Sequence, residues 1–403
     1  MSTVVIIEPR SSGLELVTRA HELGHTVIVL SSATGPGQDP GKADRVIHAD
    51  THDRAAVLGL LRALHAETPV DAVLPGFEHF VSLAAHAAAA LGLPGIPPDG
   101  VAPLRHKHRM RRAVDAAGLD QPRYRTVSCS RSAAAAYAEL GPVCVVKPVD
   151  QSGSLGVRRV SSEREAVGAF RRALRTGRSA GSDGPGLVLV EEYVQGPEYS
   201  VEGYVEDGRV HVLAITEKIL GQEPHFVEVG HIVPARLDAR TADRISSYVV
   251  RILEAVALGI GPFHAELRMA ARGPLLMEVA ARLPGDRIPE LLRLARGHDL
   301  YEIMLRCYLG LPNPAPAKAR SGTRAGIRYF LRPGLDTYRE FRVDPVIESD
   351  PRVREIAVLL PPGSALSEPG SSSGRLGYVL AAGASYRETA GVLRRAERAV
   401  TFS

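Results

Sequence analysis

Two glutamates with apolar neighbours are the residues whose spacing most directly suggests chemistry. Glu266 and Glu278 lie in apolar segments separated by residues 271–274, Ala-Arg-Gly-Pro, a composition typical of a turn. A hairpin centred on Arg272 would place the two carboxylates directly opposite each other, where like charges destabilise a sheet. A hard cation such as Mg²⁺, which prefers carboxylate and phosphate oxygens, would remove that repulsion. The alternative is a pair of solvated surface glutamates.

A glycine-rich segment earlier in the chain could cradle phosphate. Residues Gln151–Gly156, Gln-Ser-Gly-Ser-Leu-Gly, follow Lys147-Pro148. Glycines let backbone N–H groups approach a phosphate closely, and a nearby lysine supplies positive charge. The segment is not a Walker A loop, because Gly-Lys-Ser/Thr is absent. Taken alone, an ordinary turn is the commoner outcome.

An acidic segment follows, in which Glu191-Glu-Tyr-Val194 precedes Gly-Pro-Glu198. An extended backbone leaving a buried strand can offer hydrogen bonds to an adenine edge, and Glu198 could accept hydrogen bonds from ribose hydroxyls. Arg282, four residues after Glu278, could bind an oxyanion through two N–H groups. The alternatives are a surface hinge and a surface arginine.

The first hundred residues alternate predicted strands with predicted helices. This pattern predicts a parallel sheet with helices on both faces, and ligands of such sheets bind at the carboxyl ends of the strands. The segments after the first and fourth strands, residues 8–13 and 75–78, are therefore candidate ligand loops. A dinucleotide fingerprint is absent, because neither loop contains Gly-x-Gly-x-x-Gly.

The remaining elements complete an α/β and α+β organisation. A basic helix is predicted over 105–118, and a strand-rich stretch over 199–280 contains one helix. A further helix is predicted over 288–308. With 403 residues, the chain is expected to form two or three domains. We predict domains at 1–104, at 105–310 with a lid at about 123–192, and at 311–403.

Composition narrows the class of protein. The net charge is +4 at pH 7, and no Lys/Arg run with interleaved aromatics is present, which disfavours nucleic-acid binding. Three widely spaced cysteines predict neither a disulfide framework nor a metal site. The N-terminus lacks signal-peptide features, and no apolar stretch has the length of a membrane span. We therefore expect a cytoplasmic protein without membrane contact.

Taken in order, these motifs resemble the ATP-grasp superfamily over about residues 1–305. The form Glu278-Val-Ala-Ala-Arg-Leu-Pro-Gly-Asp286 is similar to the L-amino acid ligase, or dipeptide synthase, branch. So is Phe226-Val-Glu-Val-Gly-His-Ile-Val-Pro234. The resemblance implies an ATP-grasp fold with an N-terminal Rossmann-like parallel-sheet domain and a small C-terminal α+β region. It also implies ATP and Mg²⁺ as cofactors, with Mn²⁺ able to substitute.

The resemblance implies roles for particular residues around ATP. Lys107 and Lys147 would contact its phosphates, and Arg282 would steady the transferred phosphoryl group. Glu266 and Glu278 would ligate Mg²⁺. The implied ATP-binding residues also include the loop and hinge positions Gln151, Ser152, Gly153, Ser154, Gly156, Glu191, Glu192, Tyr193, Val194 and Glu198.

The branch resemblance extends to the substrate pocket. Glu228 and His231 would reach it, joined by Glu78, Arg282 and Gly285. The two glutamates would bind a substrate ammonium, while His231 would stabilise developing negative charge or handle a proton. The alternatives are a satisfied core histidine and, for Glu78, an acid favoured by a helix start.

One departure concerns the metal ligands. Many ATP-grasp enzymes have an asparagine two residues after the second glutamate, whereas this chain has Ala280. Phosphate oxygens would then complete the coordination.

The resulting hypothesis is an ATP-dependent ligase that activates a carboxylate as an acyl phosphate for capture by an amine. The substrates would be small molecules, expected to be amino acids, and a homodimer is compatible with the family. An ATP-grasp carboxylase or purine-pathway-like ligase is an alternative. A non-catalytic ATP-binding regulatory protein is another, which the intact Glu266, Glu278 and Arg282 disfavour.

Overall fold

A parallel sheet forms the N-terminal part of the protein, as the strand–helix alternation predicts. The computed structural model describes residues 1–32, 41–179, 186–221, 226–314, 322–332, 334–365 and 372–403. The N-terminal elements are β1 (Thr3–Ile7), α1 (Ser12–Glu22), β2 (Thr26–Ser31), β3 (Arg45–His48), α2 (Arg54–Glu67), β4 (Ala72–Pro75) and α3 (Val81–Ala90), with 3₁₀ turns at Glu78–Phe80 and Pro98–Gly100. The strand order is β3-β2-β1-β4, and residues Val4–Ile7 of the interior strand β1 form an apolar, fully buried run. The loops after β1 and β4 therefore emerge side by side.

An antiparallel sheet with two helices on it follows. Its region contains α4 (Ala102–Arg105), α5 (Lys107–Ala116), β5 (Tyr124–Val127), α6 (Ser130–Leu140), β6 (Cys144–Pro148), β7 (Arg158–Val160), α7 (Glu163–Ser179) and β8 (Val188–Glu192). The strand order is β5-β8-β6-β7, and α6 and α7 bury their alanines and Phe170 against it.

The prediction of one continuous helix over 105–118 was wrong. His106 has an extended backbone, φ −115° and ψ 110°, which ends α4 before α5 begins. The Lys107 N–H donates to the Val149 carbonyl at 2.7 Å. A tertiary contact therefore interrupts the helix and places Lys107 at the start of α5.

The largest sheet spans the middle and the C-terminal part of the chain. Its first elements are β9 (Glu198–Glu206), β10 (Arg209–Leu220), β11 (Glu228–Val233), α8 (Ala239–Ala255), β12 (Gly261–Ala270) and β13 (Gly273–Ala280). The later elements are α9 (Ile288–Arg296), α10 (Leu300–Tyr308), β14 (Arg324–Phe330), β15 (Phe341–Val343), α11 (Pro345–Glu348), β16 (Val353–Val358), a 3₁₀ turn (Ser372–Gly374), β17 (Gly377–Gly383), α12 (Tyr386–Ala399) and β18 (Val400–Phe402). The strand order β13-β12-β9-β10-β11-β14-β17-β16 shows that C-terminal strands continue the same sheet.

The prediction of a single helix over 288–308 was also wrong, because the segment forms two helices. Gly297 closes α9 with a left-handed backbone, φ 77°. The Asp299 carboxylate caps α10 by accepting from the N–H groups of Tyr301 and Glu302, each at 3.1 Å. Both are ordinary helix-end signals, a glycine after a C-terminus and an aspartate before an N-terminus.

Side-chain alternation gives strands β9, β10 and β12 of the large sheet one apolar and one mainly polar face. On one face, Val201, Phe263 and Ala265 pack with α8 in a buried cluster. The intervening residues of β9, β10 and β12 put acids, a lysine and a histidine on the opposite face. That polar face forms the floor of the cavities described below. No helix among the described residues is both long and apolar enough to cross a bilayer.

Candidate active site

Glu266 and Glu278 face each other across β12 and β13, as predicted, but by a different geometry. The turn consists of two residues, because Ala270 already pairs with Gly273. That register would pair Glu266 with Met277. The structure instead pairs Leu267 with Leu276 and Glu266 with Glu278, which leaves Met277 as one extra residue on β13. This β-bulge puts both carboxylates on one face.

The pair lies where two cavities meet. The lysine cavity, lined by Lys107 and Lys147 among others, has a volume of about 820 Å³ that includes its opening to solvent. The histidine cavity, lined by His231 and His264 among others, has a volume of about 890 Å³, also counted with its opening. Gly153, Glu228 and Glu266 line both cavities.

The two predicted phosphate-binding lysines point into the lysine cavity from different elements. Lys107 Nζ lies 2.7 Å from a Glu278 carboxylate oxygen and donates to the Gln151 carbonyl at 2.5 Å. Lys147 Nζ lies 2.7 Å from Glu191 and 3.3 Å from the Met277 carbonyl in the bulge. Burial lowers the pKa of Lys147, and its partner Glu191 opposes that shift. Both amino groups therefore lie at the wall of the cavity, where a bound anion would meet them.

The glycine-rich segment lies beside these lysines. Ser154, Gly153 and Gly156 have left-handed backbones with φ of 58°, 63° and 77°. Ser154 Oγ donates to the Phe226 carbonyl at 3.3 Å. Ser152 and Gly153 reach the histidine cavity, whereas Gln151 lines only the lysine cavity. The loop thus borders both compartments.

Glu191, one of the implied ATP-binding residues, has its carboxylate occupied by two cations and offers adenine no free oxygen. Arg111 Nε lies 2.7 Å from one oxygen and Lys147 Nζ 2.7 Å from the other. Burial alone would raise the pKa of Glu191, but these two cations outweigh it and lower that pKa to about 2. Arg111 is fully buried and also donates to the Leu276 carbonyl at 2.8 Å. The carboxylate is therefore an internal counter-ion.

Two neighbouring hinge residues lie at the edge of the lysine cavity. The Glu192 carboxylate pairs with Arg123 at 2.9 Å and with Arg272 of the β12–β13 turn. The Tyr193 ring stacks on Phe226 with centroids 6.2 Å apart. The Glu192 carboxylate is therefore occupied by two arginines.

Val194 and Glu198 complete the hinge. The Val194 carbonyl accepts from Arg268 at 2.9 Å, while its N–H has no acceptor within the described part of the chain. The Glu198 carboxylate lies 2.9 Å from both Lys218 and Arg268. Among the described residues, the Val194 N–H is therefore left without a protein acceptor.

Lys218 was missed in the sequence. Its side chain is 1% exposed, and Nζ lies 2.9 Å from Glu198, 2.9 Å from Glu228 and 2.8 Å from Glu266. These are ion-pair contacts whose angles fall outside good hydrogen-bond geometry. Burial lowers the pKa of Lys218, but the three carboxylates raise it well above the usual value. The local sequence, Ile215-Thr-Glu-Lys-Ile219, mixes apolar and charged residues and gave no clear signal that this lysine is buried.

His264 is the second overlooked cation. Its ring nitrogens lie 3.0 Å from Glu202 and 3.0 Å from Glu266. Burial opposes protonation of this ring, but the two carboxylates raise the pKa of His264 to about 9. Glu202 is fully buried and also accepts from Thr216. His264 is therefore a fixed positive charge beside Glu266 at neutral pH.

The donor set at Glu266 and Glu278 fits a hard divalent cation. Both side chains are partly exposed, at 21% and 24%, and both line the lysine cavity. In the protein alone, Lys218 and His264 neutralise Glu266 while Lys107 neutralises Glu278. Carboxylate oxygens beside an anion site are the ligands that Mg²⁺ prefers. Ala280, opposite His264, offers no further oxygen.

The predicted substrate residues separate into two groups. Glu228, His231, Arg282 and Gly285 line the histidine cavity. Glu78 does not, because it is 2% exposed and pairs with Arg105 at 2.7 Å and with Arg282. Burial would raise the pKa of Glu78, but the arginines lower it to about 2. The expectation that Glu78 binds a substrate ammonium is corrected: it holds Arg282.

A further cluster joins the C-terminal region to this cavity. His231 Nε2 lies 2.9 Å from Asp286, and Arg375 contacts both Asp286 oxygens at 2.6 and 2.8 Å. Arg375 also donates to the Glu228 carbonyl at 2.8 Å and lies over the Tyr329 ring at 3.9 Å. The sequence analysis did not predict a role for Arg375, because its partners are remote in the sequence and no local motif includes it.

Comparisons with known proteins agree with this geometry. Residues 17–95 match the ATP-grasp N-terminal domain, 141–290 the ATP-grasp domain, and 340–403 the L-amino acid ligase C-terminal domain 2. The uncharacterized protein y4rH of Sinorhizobium fredii is 28% identical, across 99% of this chain and 82% of that protein. Alanine–anticapsin ligase of Bacillus subtilis is 27% identical, across 58% of this chain and only 53% of that ligase.

A solved structure shows the same fold. The L-amino acid ligase from Bacillus licheniformis superimposes with a TM-score of 0.86 at 24% identity, covering 100% of this chain and 98% of that one. The three matched domains follow one another along the chain without overlap. The chain belongs to the ATP-grasp superfamily and is a ligase of its L-amino acid ligase branch.

Proposed function

We propose that this protein joins a carboxylate to an amine, both from amino acids or related acids, through an acyl-phosphate intermediate formed with ATP. The observation that carries the proposal is the position of Glu266, which lines both cavities. A phosphoryl group bound beside Glu266 would have a nucleotide on one side and a second substrate on the other.

The lysine cavity would hold ATP. The Val194 N–H would donate to adenine, and Glu198 would accept from the ribose hydroxyls. Lys107, Lys147 and the loop Gln151–Gly156 would surround the phosphates, where backbone N–H groups and ammonium groups both stabilise anions. Phosphoryl transfer depends mainly on such positioning and charge neutralisation.

Glu266 and Glu278 would hold Mg²⁺, and Mn²⁺ could replace it at the same oxygens. The bound metal would supply charge neutralisation to the ATP phosphates. Lys107 contacts both Glu278 and the loop, so its ammonium can remain beside the phosphates after a metal takes over the carboxylate. Lys218 and His264 keep Glu266 ionised and oriented.

The histidine cavity would hold the acid and the amine. A carboxylate oxygen attacks the terminal phosphorus of ATP, and ADP leaves with the electron pair. Arg282, oriented by Glu78, would stabilise the oxyanions of the transferred group. Glu228, which lines both cavities, would attract the ammonium of the second substrate.

An amino-acid ligase is favoured over the alternatives by the C-terminal region. Residues 340–403 match a domain named for L-amino acid ligases, and Arg375 of this region reaches Glu228 and Asp286. A carboxylase would instead require bicarbonate. A non-catalytic regulatory protein would bind ATP without substrate-dependent ADP release.

The direct test is ADP release from Mg²⁺-ATP across pairs of amino acids, with products identified by mass spectrometry. We expect release only when an acid and an amine are both present, together with a product lighter by one water than their sum. Turnover that depends on bicarbonate would transfer the assignment to a carboxylase. Tight ATP binding without stimulation by any pair would exclude the ligase proposal.

A further inference from the structure

His231 is held by an ion pair that the proposed function does not explain. The Arg375 guanidinium donates hydrogen bonds to both carboxylate oxygens of Asp286, at 2.6 and 2.8 Å. One of these oxygens, Oδ2, lies 2.9 Å from His231 Nε2. Arg375 is itself fixed by the Glu228 carbonyl and the Tyr329 ring. The three side chains form a line, Arg375–Asp286–His231, that ends in the histidine cavity.

This line determines which ring nitrogen of His231 carries the proton. Burial would raise the pKa of Asp286, but Arg375 and His231 hold it well below its usual range, so the group is a carboxylate. A carboxylate can only accept hydrogen bonds, so Nε2 must be the donor. In the neutral ring, Nδ1 then has a free lone pair.

Nδ1 is the ring nitrogen that Asp286 does not contact. It is buried, and it has no hydrogen-bond partner within the described residues. Buried polar atoms in folded proteins nearly always have a partner, so an unpaired one requires an explanation, such as a catalytic role or a bound water, ion or substrate. Lys218 is paired with His231 across β10 and β11, so the two side chains lie on the same face of the sheet.

A metal ion is the competing explanation for this cluster. Ligand atoms of Glu228, His231 and Asp286 lie within 4.8 Å of one another. However, the Arg375 guanidinium already contacts both Asp286 oxygens and one Glu228 carboxylate oxygen at 3.2 Å. The Arg375 guanidinium therefore already occupies the position beside these carboxylates that a metal ion would need.

We propose that Asp286, fixed by Arg375, positions His231 so that Nδ1 takes the proton from the ammonium of the attacking substrate. The inference rests on the proposed ligase function and assigns its second half-reaction. The amine nitrogen then forms a bond to the acyl carbon. The bond from that carbon to the phosphate oxygen breaks, and phosphate leaves with the electron pair. A second proton from nitrogen passes to the phosphate, and the His231 proton returns to solvent.

A comparison of two nucleophiles isolates this step. Hydroxylamine is largely uncharged at neutral pH and traps an acyl phosphate as a hydroxamate without needing a base, whereas an amino acid arrives as an ammonium. For each variant, the rate of amide formation is divided by the rate of hydroxamate formation. The ratio cancels losses in nucleotide binding and in the first phosphoryl transfer.

Asp286→Asn is the informative variant. An asparagine NH₂ can donate to Nε2, which moves the ring proton to Nδ1 and removes the base. General-base catalysis contributes about 10²–10⁴-fold, so the amide-to-hydroxamate ratio should fall by about that factor. Arg375→Met should lower the ratio, with partial recovery in Arg375→Lys. Asp350→Asn, which removes a carboxylate paired with Arg352 and Arg395 elsewhere in the C-terminal region, should leave the ratio unchanged.

A spectroscopic measurement keeps the inference testable if Asp286→Asn fails to fold. In ¹⁵N-histidine-labelled wild-type protein, long-range ¹H–¹⁵N correlations should show His231 with a protonated Nε2 and an unprotonated Nδ1. The opposite tautomer, or an unchanged ratio in folded Asp286→Asn, would overturn the His231 assignment alone. Absence of hydroxamate from the wild type with every carboxylate would overturn the ligase proposal, and this inference with it.

Discussion

Glu266 and Glu278 face each other because β13 contains one residue more than β12 between the turn and the pair. A one-residue change in register moves every later side chain to the other face of a strand. If the register set by the turn continued without a bulge, Met277 would lie opposite Glu266 and the Glu278 side chain would point to the other face. The carbonyls of Leu276 and Met277 accept from Arg111 and Lys147. The bulge therefore aligns the carboxylates and anchors two buried cations.

We expect Glu278→Ala to lower metal-dependent turnover by on the order of 10²-fold or more, because loss of one preorganised charged group at a reacting centre has effects of that size. Lys107 would also lose its partner at 2.7 Å. The check is ADP release against Mg²⁺ concentration. Glu139→Ala, which removes an exposed glutamate paired with Arg125, serves as the control. Unchanged turnover in Glu278→Ala would refute the metal assignment.

Lys218→Met should destabilise the protein strongly in the absence of ligands. The variant keeps the length of the side chain but leaves Glu198, Glu228 and Glu266 without their shared cation. Removal of one partner from a buried ion pair costs about 3–5 kcal/mol. The free energy of unfolding in urea, measured with EDTA, should fall by about this amount.

Mg²⁺ with ADP should return part of the stability lost in Lys218→Met, because a metal beside Glu266 replaces the missing charge. Lys42→Met, at an exposed lysine paired with Glu22 at 3.3 Å, should change the free energy of unfolding by less than about 1 kcal/mol. If both lysine variants behave alike, the three carboxylates do not depend on Lys218.

The sequence predicted features carried by short local patterns. The alternating N-terminal elements and the hinge around Val194 are of this kind. The sequence did not predict residues whose role depends on contacts between separate elements. Lys218 acts through the register of β10 with its neighbouring strand, and Arg375 acts through Asp286 in another region of the chain. The break at His106 depends on a tertiary hydrogen bond made by Lys107. By contrast, the helix end at Gly297 could have been predicted from the sequence, because a glycine is a common residue after a helix C-terminus.

His264 should make the stability of the metal-free protein depend on pH above neutrality. Its pKa is raised from 6.5 to about 9 by Glu202 and Glu266 against the effect of burial. A raised folded-state pKa gives a contribution that is fully present below the unfolded pKa and is lost as the pH rises through about 9. The size is about 3 kcal/mol.

Urea unfolding between pH 6 and pH 10 in EDTA tests the His264 contribution. The wild type should lose stability across this range more steeply than His264→Gln. His48→Gln, on the exposed strand β3, should follow the wild-type curve. Parallel curves for wild type and His264→Gln would mean that the ring is not the charged partner of Glu266.

Gly13→Ala should disturb the wall of the histidine cavity that the N-terminal sheet provides. A β-carbon on Gly13 would lie 2.0 Å from the Gly76 carbonyl oxygen, and backbone cannot yield as a flexible side chain can. Both glycines line the cavity. Overpacking of this kind costs about 1–3 kcal/mol, and displacement of the loop should also raise the KM of an amino-acid substrate.

Gly59→Ala, inside α2 with no atom within 4 Å of its added β-carbon, should instead stabilise the protein by about 0.5–1 kcal/mol. Thermal unfolding and substrate titration of the two variants distinguish the cases, and equal effects would mean that the contact between Gly13 and Gly76 does not shape the cavity.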